Sequence, residues 1–220
     1  MQDEFKFISP PPALRAGMAA RFLTGAVESR QFPPDDLPEL AFVGRSNVGK
    51  SSLLNRLLNR RNLAMVSRTP GRTREINFFA VGQGARFVDL PGYGHAAVAA
   101  GQRATWDRLA DAYFSSRRNL RAVVLLLDAR RGFTGLDAGA VEFLEARGIG
   151  FLPVVTKIDK LNANPRRQAL LALEAELRSN TRLAMAPPVP VSVLRGDGIP
   201  ELWRHLERIF EPPDQAVRNS

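Results

Sequence analysis

Gly44-Arg45-Ser46-Asn47-Val48-Gly49-Lys50-Ser51 matches the pattern G-x-x-x-x-G-K-[ST], and it stands where such a loop must stand. It follows the apolar run 40–44 and opens a stretch with helical spacing, 50–59. Gly44 and Gly49 let the backbone curl until its N–H groups converge on an anion, and the helix N-terminus adds positive potential. The Lys50 ammonium suits the outer phosphates of a nucleotide, and the Ser51 hydroxyl suits Mg²⁺. All eight residues are expected to line a phosphate site.

The regular pattern continues on either side of this loop. Short apolar runs at 40–44, 76–81, 85–89, 120–128, 150–156 and 189–193 alternate with helical stretches at 50–59, 102–117, 136–147, 165–179 and 199–210. This predicts an α/β fold of the P-loop NTPase (Ras-like) type, with three layers and helices on both faces of a mostly parallel six-stranded sheet. Gly82-Gln83-Gly84 reads as a tight hairpin turn, so one strand should be antiparallel. Asn164-Pro165 reads as a helix start, and Gly148 as a helix stop. Residues 1–38, with prolines at 10–12 and 33–38, read as an extension packing on the domain; 39–211 is the nucleotide domain and 212–220 a tail.

Composition sets limits. At 220 residues the chain suits one domain, able to bury roughly 70% of its unfolded surface. It has no cysteine, which excludes disulfides and thiolate metal sites and points to a reducing compartment. The longest apolar run, 122–127, is far short of a membrane span, and Asp3 and Glu4 stand where a signal peptide would be basic. A cytoplasmic protein without membrane insertion is expected. The net charge of +9, nearly all arginine, favours a polyanionic partner.

Two further motifs follow in order. Asp89-Leu90-Pro91-Gly92 ends the run 85–89. Asp89 sits where a carboxylate supports Mg²⁺ from outside its inner coordination sphere, and the Gly92 N–H can meet a γ-phosphate because no side chain blocks its approach. Thr156-Lys157-Ile158-Asp159 ends the run 150–156. The Asp159 carboxylate can accept from both N1–H and the 2-amino group of guanine, a donor pair that adenine lacks. The Lys157 stem would lie over the base. The nucleotide is therefore read as GTP or GDP. Val191-Ser192-Val193 is the last expected contact, through a backbone N–H to the guanine oxygen. Between the phosphate loop and Asp89, Thr69 and Thr73 are both candidates to complete the Mg²⁺ shell.

Taken together with Thr69-Pro70-Gly71-Arg72-Thr73, Ile76-Asn77-Phe78-Phe79 and Tyr93-Gly94, these motifs resemble the EngB (YihA/YsxC) family, within the TrmE-Era-EngA-EngB-like P-loop GTPases. The likeness runs from about Leu37 to Phe210. It implies that Thr73 is the Mg²⁺ ligand beside Ser51, and that Gly71, Arg72, Thr73, Arg74 and Glu75 contact nucleotide. It implies a monomeric GTPase acting on the large ribosomal subunit precursor and supporting cell division and septation. Arg74, Glu75 and His95 depart from the family's usual residues.

Lys50, Thr73, Gly92 and Asn47 are the expected catalytic residues. Tyr93 stands where Ras-like enzymes place a water-orienting glutamine, so unaided hydrolysis should be slow. Asn47 has two readings: a holder of K⁺ near the phosphates, or a hydrogen-bonding stabiliser of the loop. Arg72, Arg74 and the pair Arg117-Arg118 are first candidates to touch RNA. A GTP-dependent membrane or division-site module and a P-loop kinase are the alternative functions; the kinase leaves Asp159 unexplained.

Overall fold

The computed structural model describes residues 20–60, 63–64, 75–93 and 100–210, with side chains of the last range from 108 onward. The strands are β1 (Ala20–Ala26), β2 (Glu39–Gly44), β3 (Ile76–Val81), β4 (Ala85–Asp89), β5 (Leu120–Asp128), β6 (Phe151–Thr156) and β7 (Val189–Pro190). The helices are α1 (Lys50–Leu57), α2 (Ala100–Ser116), α3 (Gly135–Glu145), α4 (Ala163–Asn180) and α5 (Ile199–Phe210).

One seven-stranded sheet runs in the order β1-β3-β4-β2-β5-β6-β7. The pairs β2·β4, β2·β5, β5·β6 and β6·β7 are parallel, while β3 is antiparallel to both β4 and β1. Thus β3 alone runs against the rest, as the hairpin turn implied. The sheet has seven strands, not the expected six. The extra one, β1, is an edge strand whose register shifts between Phe22 and Thr24. Such an irregularity, with Gly25 beyond it, erases the two-residue alternation that marks a strand.

Alternate residues of each strand feed two cores. Leu40, Phe42 and Phe87 face α1 and α5, packing with Leu53, Leu57, Trp203 and Leu206. Ala41, Val43, Leu125 and Phe78 face α2, α3 and α4, packing with Tyr113, Val141, Leu144 and Leu173. Phe78 and Phe79 are both buried, one in each core, because neighbouring strand residues point to opposite faces.

Helix ends follow local chemistry with one correction. Gly148 takes φ 63°, and beyond α3 its N–H reaches Glu145 C=O while that of Ile149 reaches Leu144 C=O, a glycine-dependent stop. α4 begins earlier than expected, with Asn162 rather than Asn164 at the N-cap position and no capping bond from the Asn162 side chain. Pro165 still lies within the first turn, where a missing N–H costs nothing.

At the opposite end of β2 from its glycine loop, Glu39 is fully buried and accepts from Tyr113 Oη at 3.0 Å and Arg117 Nε at 3.1 Å. Arg117 also donates to the C=O of Pro33 at 2.7 Å, and Arg86 to that of Pro34 at 2.7 Å. Phe32 packs on Phe78 and Tyr113. These contacts bind residues 32–38 to the sheet.

Candidate functional site

Because β2, β4, β5, β6 and β7 are parallel, their carboxyl ends lie along one edge of the sheet. That edge collects Gly44, Asp89, Asp128, Thr156 and Val191, and ligands of open α/β sheets bind there.

The phosphate loop turns through two left-handed residues, Asn47 at φ 62° and Gly49 at φ 105°. Asparagine is one of the few side chains that enter this region at low cost, so loop geometry by itself accounts for Asn47. Lys50, the first residue of α1, is buried and forms an ion pair with the equally buried Asp89. Ser51 follows it, half-buried. A hydroxyl, a carboxylate and a lysine at a helix N-terminus are a hard-oxygen and cation set that fits a Mg²⁺-bound triphosphate. Among the described residues no group of three or more His, Cys, Asp or Glu side chains converges as a metal cage.

Leu90, Pro91 and Gly92 run back along the loop. Leu90 N–H donates to Phe42 C=O at 3.2 Å, which continues the β2·β4 pairing past Asp89. Gly92 lies against the loop closely enough that a Cβ there would be 3.0 Å from Ser46 N. A side chain there would press on the loop backbone at Ser46 and Gly44.

The half expected to read the base is equally connected. Thr156 Oγ1 donates to Val48 C=O at 2.7 Å, pinning the end of β6 to the phosphate loop. Lys157 takes φ 61°, and its Nζ donates to Asn47 C=O and, at 2.9 Å, to Asp128 Oδ2. The amine is thus held by two acceptors, one on the phosphate loop and one at the end of β5. Ile158 is buried beneath. Asp159 Oδ1 accepts from Ser192 Oγ at 2.8 Å, and this bond holds the carboxyl below its ordinary range. Ser192 N–H is engaged by Asp197 C=O at 3.0 Å, and Val191 N–H by Val155 C=O at 2.8 Å.

The structure brings together Gly44, Arg45, Ser46, Asn47, Val48, Gly49, Lys50 and Ser51 with Asp89, Leu90, Pro91 and Gly92, and Thr156, Lys157 and Asp159 with Ser192. Glu75 stands apart from both groups, next to β3, which is separated from β2 by β4. Its carboxylate lies over Gly25 of β1, in the space a Cβ would take. Thr69, Gly71, Arg72, Thr73, Arg74 and His95 lie outside the described residues. Arg117 is corrected: it is buried against Glu39 at the far end of β2, where its charge is neutralised, and Arg118 beside it is exposed at that same far end.

Sequence reading missed Asp128, Arg130, Thr134 and Asp137. Burial alone would raise the Asp128 carboxyl, but hydrogen bonds from Arg130 and Lys157 outweigh it and hold it well below the usual carboxylate range. Its part in fixing Lys157 has no local signal. Thr134 and Asp137 had one, since T-x-x-D before an apolar stretch is the pattern of a reciprocal helix cap.

Comparison with known proteins agrees with this geometry. Residues 39–157 match the family model described as "50S ribosome-binding GTPase". "Probable GTP-binding protein EngB" of Pelotomaculum thermopropionicum is 49% identical, covering 86% of this chain and 94% of that protein. The protein of the same name from Caulobacter vibrioides is 39% identical, over 95% and 98%. The crystal structure of a probable GTP-binding protein engB superposes with a TM-score of 0.61 at 23% identity, covering 78% of this chain and 98% of that one. Era of Aquifex aeolicus bound to GDP and aluminium fluoride gives 0.63 at 24% identity, covering 80% and 57%.

Proposed function

The chain belongs to the EngB family of GTP-binding proteins and is a P-loop GTPase, and on that premise we propose that it is a Mg²⁺-dependent nucleotide switch in assembly of the large ribosomal subunit, needed for normal cell division and septation. The observation that carries this reading is the convergence on one sheet edge of a phosphate loop, the Lys50–Asp89 pair and the Ser192-braced Asp159. The family description, "50S ribosome-binding GTPase", supports the partner.

In this reading the loop N–H groups and Lys50 hold the phosphates. Ser51 and Thr73 would ligate Mg²⁺, with Asp89 behind the ion's water. Binding then requires Lys50 to exchange Asp89 for phosphate oxygens, which frees the carboxylate for the metal side. A bound Mg²⁺ would neutralise charge on the outer phosphates. Asp159 reads the guanine edge, and with the Val191 and Ser192 N–H groups engaged within the protein, Val193 supplies the backbone N–H to the guanine oxygen. Hydrolysis is slow because Tyr93 replaces a water-orienting glutamine; a K⁺ held by Asn47, or a ribosomal partner, would raise it.

The partner is contacted through arginines. Arg118 and the switch residues Arg72 and Arg74 remain candidates for RNA. GTP alters affinity for the particle only if its two bound states differ there. Pelleting of the purified protein with large ribosomal subunits, in GTP analogue and in GDP at two salt concentrations, tests this. Stronger association with the triphosphate, weakening as salt rises, is the expected result. Equal binding with both nucleotides removes the switch, and binding insensitive to salt removes the RNA contact.

No helix among the described residues is long and apolar enough to cross a membrane.

A further inference from the structure

Tyr93 directly follows the D-L-P-G segment and is fastened at three points. Its N–H donates to Gly44 C=O at 3.2 Å, and its C=O accepts from Ser46 N–H at 3.1 Å. Its hydroxyl donates to Asp137 Oδ1 at 2.9 Å. The backbone bonds pair Tyr93 with Arg45 as an isolated parallel bridge, which ties the phosphate loop to the segment beyond β4.

The same carboxylate also holds the other side of this bridge. Asp137 Oδ2 accepts from the N–H of Thr134 at 2.9 Å and from its hydroxyl at 2.6 Å. Thr134 Oγ1 in turn accepts from Arg45 Nη1 at 3.2 Å. Arg45, Thr134, Asp137 and Tyr93 therefore close a circuit, and Gly92, next to Tyr93 in the chain, lies against Ser46. The cap of α3 needs only Oδ2. Oδ1, on a residue 1% exposed, is committed instead to a tyrosine 44 positions away in the chain. Burial, reinforced by the Asp137 charge, pushes the Tyr93 hydroxyl far above the ordinary tyrosine range, so it remains a donor.

We propose that Asp137 is a positioning residue for recognition of the γ-phosphate: it holds Tyr93 by its hydroxyl, and Tyr93 holds the Gly92 N–H in place over the phosphate loop. The inference rests on the proposed contact between Gly92 and the γ-phosphate. GDP has no group at that point, so the circuit acts on the triphosphate alone. A bond that merely stabilised the fold would act on both nucleotides.

The test is Tyr93→Phe in the full chain with Mg²⁺, measuring affinity for a fluorescent GDP and for a non-hydrolysable GTP analogue. The ring and the backbone bonds survive; only the hydroxyl is lost. The analogue should bind about tenfold more weakly, the size expected for a hydrogen bond to a charged group, while GDP affinity changes less than about twofold. Asp137→Asn, which leaves a single neutral acceptor to serve both Tyr93 and the cap of α3, should shift the same ratio, and the double variant should shift that ratio no further than Tyr93→Phe alone, because any loss at the cap acts on both nucleotides. An unchanged analogue-to-GDP ratio, or equal weakening of both, overturns the proposal. Gly92→Ala separates the two levels. If it weakens the analogue while Tyr93→Phe does not, the γ-phosphate contact stands and the clamp falls; if neither does, the contact itself is wrong.

Discussion

Ser192 Oγ donates a 2.8 Å hydrogen bond to Asp159 Oδ1, across 33 residues of chain. The serine comes from the loop after β7 and the aspartate from the turn after β6, so the carboxylate proposed to read the base is aimed by the loop of a neighbouring strand. The Ser192 oxygen itself accepts from Arg195 N–H at 3.1 Å, which fixes its proton toward Asp159.

Ser192→Ala should therefore weaken GTP and GDP alike, by about tenfold, with guanine still preferred. Asp159→Asn should do something different: lose GTP and favour xanthosine triphosphate, whose N1/C2 edge complements an amide. Competition binding with the three nucleotides checks both. Intact GTP affinity in Asp159→Asn would remove the base-reading assignment.

The same bond sets a pH dependence. The Asp159 carboxyl is lowered from 3.8, chiefly by Ser192. A lowered carboxyl contributes above its free value and loses that contribution as pH falls through the bound one. Guanine affinity should thus hold on acidification until below the ordinary aspartate range. In Ser192→Ala the acid limb should move to higher pH, as read by nucleotide binding between neutral pH and the point of acid unfolding.

Mg²⁺ dependence should depend on Asp89 and on one threonine. Asp89→Asn removes the partner of Lys50 and the carboxylate behind the ion, so the Mg²⁺ enhancement of GTP-analogue binding should fall while Mg²⁺-free GDP binding persists. Thr73→Ala should reduce the same enhancement and spare GDP. If Thr69→Ala does so instead, the ligand assignment moves to Thr69.

Asn47 supplies a further contrast. Its left-handed φ of 62° already accounts for an asparagine in the loop, so a K⁺ role needs its own signal. Hydrolysis in matched KCl and NaCl, with and without large ribosomal subunits, provides it: K⁺ should accelerate turnover, and Asn47→Gly, which keeps the backbone conformation, should abolish the difference. Equal rates in both salts would leave only the conformational role.

The strap 32–38 and the buried Glu39 should matter for stability. Glu39→Ala leaves the Arg117 charge buried with one carboxylate fewer, which costs about 3–5 kcal/mol and should lower the melting temperature by about 10 °C. Deleting residues 1–38 removes β1 and the carbonyls of Pro33 and Pro34 that Arg117 and Arg86 use, and should destabilise at least as much. Thermal unfolding followed by circular dichroism decides; a change of less than about 2 °C for Glu39→Ala would show the cluster to be neutral.

What the sequence determined by itself is the local geometry of the candidate nucleotide edge. Gly44 to Ser51, Asp89 to Gly92 and Thr156 to Asp159 are short segments whose chemistry lies in backbone turns and in residues a few positions apart, at the ends of strongly apolar strands. Local rules suffice there: a glycine where φ is positive, a lysine opening a helix, a carboxylate ending a strand. The parallel sheet, the single reversed strand and the glycine stop of α3 were legible for the same reason. The tertiary structure decided the rest. Tyr93 with Asp137, Glu39 with Arg117 and Lys157 with Asp128 lie 44, 78 and 29 residues apart, and no periodicity records which buried polar group will meet which. An arginine that looks like a surface charge can be the partner a buried glutamate requires, as Arg117 is. An edge strand such as β1, with one neighbour and an irregular register, carries too little alternation to be seen until β3 is in place to pair with it. Local geometry is encoded in neighbouring residues; the partner of a buried charge is set only when the chain has folded, because burial is what makes an unpaired charge costly.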